Sequence, residues 1–342
     1  MSRRLGVALA SLRRTLCVAV GAWTAWSAFC KPAKAEWLTV AQQRISYTTD
    51  AFQFSSARRL YLSEDPSLPT VVPLEEPEDL IWEPALEVIR TAPTRLGPNE
   101  LSVKAHGFIY TDKPIFNHAD LRIQDRQQLT RDTSLLLRYR YVPNLFLGPN
   151  FERRSGDRSI QEERVTSHSW RTELEHRLNN DWNATLVGRY GLRLYNDAFA
   201  ERDTHFYSIG PRLDYRAASW IMFTLGYLYE RGLADGRHEP QFMDDVSYYL
   251  HFLSFDTELR LTSNLALTLT YVHVRKTFTS GIPGDTHLGR EDLTHQGRAE
   301  FRYQLTAAAA ATLAYQRTQR SSSNAFREFH DNIVSIGAEY RF

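Results

Sequence analysis

Over most of its length the chain alternates apolar and polar residues with a period of two. The closing stretch shows the pattern plainly. Val334, Ile336, Ala338, Tyr340 and Phe342 share one parity, while Ser335, Gly337, Glu339 and Arg341 share the other. Successive side chains of a strand point to opposite faces, so this stretch reads as a strand with one greasy and one polar side. The same reading predicts fourteen strands, at about 42–53, 80–91, 99–110, 118–128, 132–143, 165–178, 182–196, 203–216, 218–231, 244–261, 265–278, 291–305, 309–319 and 332–342. In the seventh, Trp182, Ala184, Leu186, Tyr190 and Leu192 oppose Asn183, Thr185, Arg189 and Arg193. In the tenth, Tyr249, His251, Leu253 and Phe255 oppose Asp256, Glu258 and Arg260. Pro84 counts against a regular central strand at 80–91.

Breakers separate these runs. The segment 55–79 carries Pro66, Pro69, Pro73 and Pro77 beside Glu75, Glu76, Glu78 and Asp79, and reads as an exposed loop. A second loop is expected at 144–164, with Pro149, Gly156 and a mixed run of charges. Links after strands two, four, six, eight, ten and twelve are short, and those after one, five, nine, eleven and thirteen are longer. Segments of roughly ten alternating residues, joined by turns of alternating length, are the signature of a transmembrane β-barrel. In hydrocarbon every backbone group must be paired, which forces such strands to close on themselves. A soluble sandwich would also alternate, but its polar face would not need Arg, Glu and Asp at strand centres. The expected fold is all-β, a closed antiparallel transmembrane β-barrel of about 14 strands (within 12–16) over 36–342, with long external loops at 55–79 and 144–164.

The two ends of the chain agree with this. Arg3, Arg4, Arg13 and Arg14 precede the apolar run Leu16 to Trp26, and Ala33-Lys-Ala35 offers a cleavage site. The run is too short to span a bilayer, so 1–35 reads as a signal peptide. Phe29 before Cys30 disfavours a lipoprotein site. At the other end the chain finishes on an aromatic. This ending resembles the terminal strand of Gram-negative outer-membrane β-barrel proteins. The resemblance implies that Tyr340 and Phe342 form the signal read by the barrel-assembly machinery. It also implies residence in the cell outer membrane, against its lipid and lipopolysaccharide. It holds at the level of the class, across nearly all of 36–342.

Charge and composition narrow the function. Both cysteines, Cys17 and Cys30, fall within 1–35, which leaves the processed chain without a disulfide, thiol nucleophile or cysteine ligand. Six of the 41 Lys+Arg also precede Glu36, leaving 35 against 40 Asp+Glu, a net −5 with His neutral. The arginines are spread along strands rather than massed in a patch, so nucleic-acid binding has no support. No zinc-hydrolase, phosphate-loop or calcium-loop motif is present, and neither a metal nor a cofactor is expected. A hydrolase would need Ser and His together. His168 and Ser169 fall on opposite faces, and His251 and His273, near each other across strands ten and eleven, have no serine beside them. His205, His287, His295 and His330 lie near rims or loops. No enzyme activity is expected, and the histidines and ring-bearing residues near strand ends read as interface anchors.

With the apolar parity in lipid, the lumen would be lined by Arg138, Arg140, Arg171, Glu173, Glu175, Arg189, Arg193, Arg212, Asp214, Asp256, Glu258, Arg260, Glu300, Arg302 and Glu339. Charges confined there must be hydrated or paired. A short turn centred on Asn180 would set Arg189 opposite Arg171 and diagonal to Glu173, as a brace for the wall. The expected function is an outer-membrane channel or export-related pore for small polar or charged solutes, oligosaccharides included. The alternatives are a surface-interaction or structural barrel of an envelope assembly and, last, a lipid-modifying enzyme. The barrel is taken as a monomer.

Overall fold

The structure is a computed structural model that describes residues 35–54, 77–156, 159–324 and 327–342. Among them fourteen antiparallel strands close into a barrel in chain order. They are β1 (Glu36–Thr48), β2 (Asp79–Pro93), β3 (Pro98–Tyr110), β4 (His118–Gln128), β5 (Thr133–Phe151), β6 (Ile160–Arg177) and β7 (Trp182–Tyr195). The second half holds β8 (Thr204–Ala218), β9 (Ile221–Ala234), β10 (Tyr248–Arg260), β11 (Leu265–Phe278), β12 (Glu291–Gln304), β13 (Ala309–Ser322) and β14 (Phe329–Arg341). The seam joins β1 to β14 from Val40↔Arg341 to Thr48↔Ile333. Phe342 lies beyond the last ladder pair and still exchanges backbone hydrogen bonds of 3.0 and 3.1 Å with Thr39. Residues 1–34, and with them the expected signal, lie outside the described residues.

The apolar parity faces outward, where Leu186, Ile209, Leu225, Phe301 and Ile336 are 42–61% exposed. A wall this apolar is stable only against lipid, since exposed apolar patches on soluble proteins are far smaller. No helix among the described residues is long and apolar enough to cross a membrane, so the strands are what span it. Short turns gather at the end where β1 begins and β14 finishes, and the longer connections gather at the other. Short turns face the periplasm in such barrels, which orients the molecule.

Several boundaries differ from those expected, and β1 already starts at Glu36. β1 stops at Thr48, and residues 51–54 form a helical turn instead of strand. Asp50 explains the stop, because its carboxylate accepts the Gln53 N–H at 3.2 Å and caps the turn. Most of 144–164 is strand rather than loop, because β5 runs to Phe151 and β6 starts at Ile160. Where the loop was expected to begin, Pro143 and Asn144 make a bulge. Asn144 takes a left-handed φ of 46°, the pairing shifts between Val142 and Leu145, and the strand resumes. Of the expected loop 55–79, residues 55–76 lie outside the described residues. Asp79 at its end is buried in β2, where it accepts hydrogen bonds from Thr111, Asp112 and Lys113. Pro84 sits within β2, whose pairing with β3 lapses between Trp82 and Ala85.

Candidate functional site

The lumen collects the charged parity. Several of its contacts reach over an intervening strand, which only the concave side of a barrel allows. Arg189 on β7 meets Glu230 on β9 at 2.8 Å, and Arg212 on β8 meets Glu173 on β6 at 3.1 Å. Arg302 on β12 meets Glu339 on β14 at 2.8 Å, and Arg44 on β1 meets Glu300 on β12 at 3.3 Å. Arg126 pairs with Glu175 across β5. Within one strand or between neighbours, Arg171 holds Glu173 at 2.7 Å, Arg140 holds Asp120 at 2.8 Å, and Arg138 bonds Gln124 at 2.9 Å. Asp214 accepts from Thr224 and Asn183, Asp256 accepts from Thr270, and Arg193 donates to the Tyr248 hydroxyl at 2.7 Å. Glu258 and Arg260 lie 3.5 Å apart at the periplasmic rim. Arg189 does stand opposite Arg171, and its guanidinium reaches Glu230 on β9.

In the extracellular half the lumen mixes buried charges with apolar side chains, since Leu250 stands beside Glu230 on β9 and Lys276 on β11. Along β10 the inward residues run Tyr248, Leu250 and Phe252, all buried, then Ser254, Asp256 and Glu258, half-buried, and finally the exposed Arg260. Leu250 is 0% exposed, and it packs with Val187, Leu228, Phe252, Val272 and Val274 into an apolar layer inside the extracellular half. A second layer joins Phe52 and Phe54 of the helical turn to Ile81, Phe108, Tyr110, Phe116 and Ile333. Phe54 meets Tyr110 edge-on, with ring centroids 6.0 Å apart. Strict alternation hides these layers, because it assigns every apolar residue to lipid. The available signal is that Tyr248-Tyr-Leu-His-Phe-Leu253 is nearly apolar on both parities, as a strand buried on both faces must be.

Beneath the first layer lies a cavity of about 460 Å³. Leu228 and Phe252 border it on the extracellular side, and Leu136, Val187, Arg126, Arg138, Arg171, Arg212, Asp214 and Asp256 are among the residues that line its wall. A pocket of about 320 Å³ at the periplasmic rim shares Arg126 and Asp214 with it, so polar space continues to that end. A third pocket of about 250 Å³, on the β1–β4 and β12–β14 side, is lined by Arg44, Lys104, Arg122 and Glu300 among others.

The extracellular loops are knitted together. Arg202 bonds Glu163 and Asp244, each at 2.7 Å. Burial would lower the Arg202 guanidinium, but Asp244 and Glu163 outweigh it and hold it well above its ordinary value. In the 279–290 connection Asp285 accepts from Ser280, from the Asp245 backbone, and from both the ring and the backbone of His287. Burial pushes the Asp285 carboxyl up, and these bonds, led by those from His287 and Ser280, overcome it and bring it to about 2. Burial pushes the His287 imidazole down. Asp244, Asp285 and His287 place ligand-type atoms within 4.8 Å of one another, a grouping that sequence spacing does not show. Asp285 is already saturated by donors of this chain, so the group reads as a lock between two loops.

On the outer wall, Ser169 has the inward parity and His168 the outward one, where His168 meets the Tyr139 hydroxyl at 2.8 Å. His251 stands opposite Arg275, while His273 stands opposite His295. Among the described residues no serine is seen hydrogen-bonded to these rings.

A closed barrel with a lipid-facing apolar wall and a charged lumen is an outer-membrane β-barrel protein, of the kind found in the Gram-negative cell envelope. No protein-family model matches the chain, and no curated relative does. Among solved structures it is similar to the outer membrane channel DcaP of Acinetobacter baumannii, with a TM-score of 0.52 at 9% identity, over 91% of this chain and 99% of that one. An anion-selective porin from Comamonas acidovorans gives 0.47 at 7% identity, covering 90% and 99%. A bacterial polysaccharide outer membrane secretin gives 0.46 at 10%, covering 88% and 98%. At these identities the likeness shows the barrel fold alone.

Proposed function

We propose that the chain is a gated outer-membrane channel for small polar or charged solutes, closed in this structure by the apolar layer around Leu250 and Phe252. The observation that carries the reading is the cavity of about 460 Å³, lined by charges of both signs on the periplasmic side of that layer. Burying a charge is costly, so a wall of Arg and Asp around open space is retained where water and polar solutes enter. Apolar constrictions gate such paths by excluding water. The mixed signs give no reason to expect a preference for anions or for cations.

The second reading is a barrel that displays its loops to an envelope partner without transport. The buried Arg202–Glu163–Asp244 network favours it, because it stiffens the extracellular end.

Planar-bilayer recording separates the two. The channel reading expects low resting conductance for the native chain and a marked rise when Leu250 and Phe252 are both replaced by alanine. A double variant that folds and stays sealed, even with the extracellular connections cut back, defeats the channel reading and favours the display reading.

A further inference from the structure

The outer wall carries a repeated pair that the channel reading does not use. Tyr139 hydrogen-bonds Nδ1 of His168 at 2.8 Å, Tyr190 that of His205 at 3.0 Å, Tyr227 that of His251 at 2.7 Å, and Tyr271 that of His295 at 2.7 Å. Tyr315 bonds Asn332 at 2.8 Å in the same place on the next hairpin. Each tyrosine lies on an odd-numbered strand, and each partner on the following even one. In every case the partner stands opposite the residue two beyond the tyrosine: Tyr141↔His168, Leu192↔His205, Tyr229↔His251, His273↔His295 and Arg317↔Asn332. Five hairpins in a row, β5 to β14, thus build one diagonal at one depth.

That depth is the upper edge of the apolar wall. Along β13 the outward residues run Ala311, Leu313 and Tyr315, then turn polar at Arg317. Along β9 they run Phe223, Leu225, Tyr227 and Tyr229, then Arg231; along β11, Leu267, Leu269 and Tyr271, then His273 and Arg275. The acids near this level are already taken, Glu291 by Arg275 at 2.8 Å and Glu162 by Arg164 at 2.9 Å. Arg231 and Arg317 are exposed, and among the described residues neither is held in an ion pair. The arc is therefore cationic where the chain leaves hydrocarbon.

We propose that this arc binds the phosphate groups of an anionic glycolipid in the outer leaflet, with imidazole Nε2 and the neighbouring arginines as its donors. An interfacial tyrosine ordinarily turns its hydroxyl to the headgroups. Here the hydroxyl is spent on Nδ1, which fixes the ring and leaves Nε2 for a further partner. A hydroxyl can donate to Nδ1 or accept from it, so the pair serves a neutral imidazole and a charged one alike. Guanidiniums suit phosphate oxygens because they donate in a fork. Among the described residues of the β1–β4 sector no such pair is found, so the lipid would be held on one side of the barrel.

Native mass spectrometry of the full-length barrel tests this with two probes, diphosphoryl lipid A and the same lipid with its phosphates removed. Retention of the phosphorylated lipid should fall about tenfold in R231Q/R317Q, given the attraction of each interfacial arginine for anionic lipid. It should also fall in H251L/H295L, while the phosphate-free lipid is held weakly and equally by all three proteins. Equal retention of both lipids by the native barrel overturns the proposal. So does unchanged retention in the arginine pair, whose side chains anchor nothing in the fold and whose folding is therefore secure.

Discussion

Replacing Glu230 with alanine tests whether the lumen charges hold the barrel together. Glu230 is 0% exposed. One of its oxygens accepts from Arg189 Nη2 at 2.8 Å, the other accepts from the Tyr248 hydroxyl at 2.6 Å, and Arg193 stands 3.6 Å away. The side chains of Arg189 and Arg193 are 2% and 4% exposed, so neither can turn to water when the carboxylate goes. Arg189 would keep its weaker bond to Ser208 at 3.0 Å, and Arg193 would keep the Tyr248 hydroxyl. Removing one partner of a buried pair costs about 3–5 kcal/mol, because the stranded charge still bears its desolvation. Glu230→Gln keeps an acceptor in place and should cost less. The measurement is a urea titration of the bilayer-embedded barrel, followed by tryptophan fluorescence and by loss of the heat-modifiable band. A double-mutant cycle with Arg189→Met should return a coupling of about 1–3 kcal/mol. A cost below about 1 kcal/mol for Glu230→Ala, or no coupling to Arg189, would refute the account of the lumen as an interlocked wall.

Other outcomes follow from particular contacts. Burial raises the Asp203 carboxyl, between the Asp197–Arg202 turn and β8, to about 6. A folded value above the unfolded one means that the folded state holds an extra proton. The stability it lends is complete below about pH 4 and disappears as pH rises through about 6. Asp203→Asn should remove that slope from unfolding midpoints taken between pH 4 and 7, and an unchanged slope would count against it. At Gly210 a Cβ would come within 1.9 Å of the Tyr227 carbonyl oxygen. Gly210→Ala should therefore cost about 1–3 kcal/mol or more through forced strand displacement, seen as a lower yield of folded barrel on refolding into vesicles. Deleting Phe342 removes the backbone pair with Thr39 at the seam and the terminal aromatic together. Assembly into the outer membrane, read as surface protease protection over time, should slow markedly, whereas Phe342→Tyr should assemble normally.

Much of this architecture was legible in the order of residues alone. β4 and β11 fall where alternation puts them, at 118–128 and 265–278, because each is bounded by clear turn residues and faces lipid on a single parity. The number of strands and their outward faces come from the same local rule. The pleat makes facing a matter of parity, and lipid demands that one parity be apolar throughout. Where a turn-forming residue is taken into a ladder, as Pro149 is opposite Glu162, the local rule fails and a strand looks like a loop.

The sequence by itself therefore determined the barrel and the side of its wall that meets hydrocarbon. Only the closed tertiary structure decided which of the inward charges meet, since Arg189 finds Glu230 across a strand at a distance set by barrel curvature. Closure likewise decided that Leu250, Phe252 and Phe54 fill the lumen, because an inward apolar side chain is dry only when the opposite wall and a folded-in turn arrive to cover it. Parity is a property of neighbours along the chain, whereas the filling of the lumen depends on contacts between strands far apart in it.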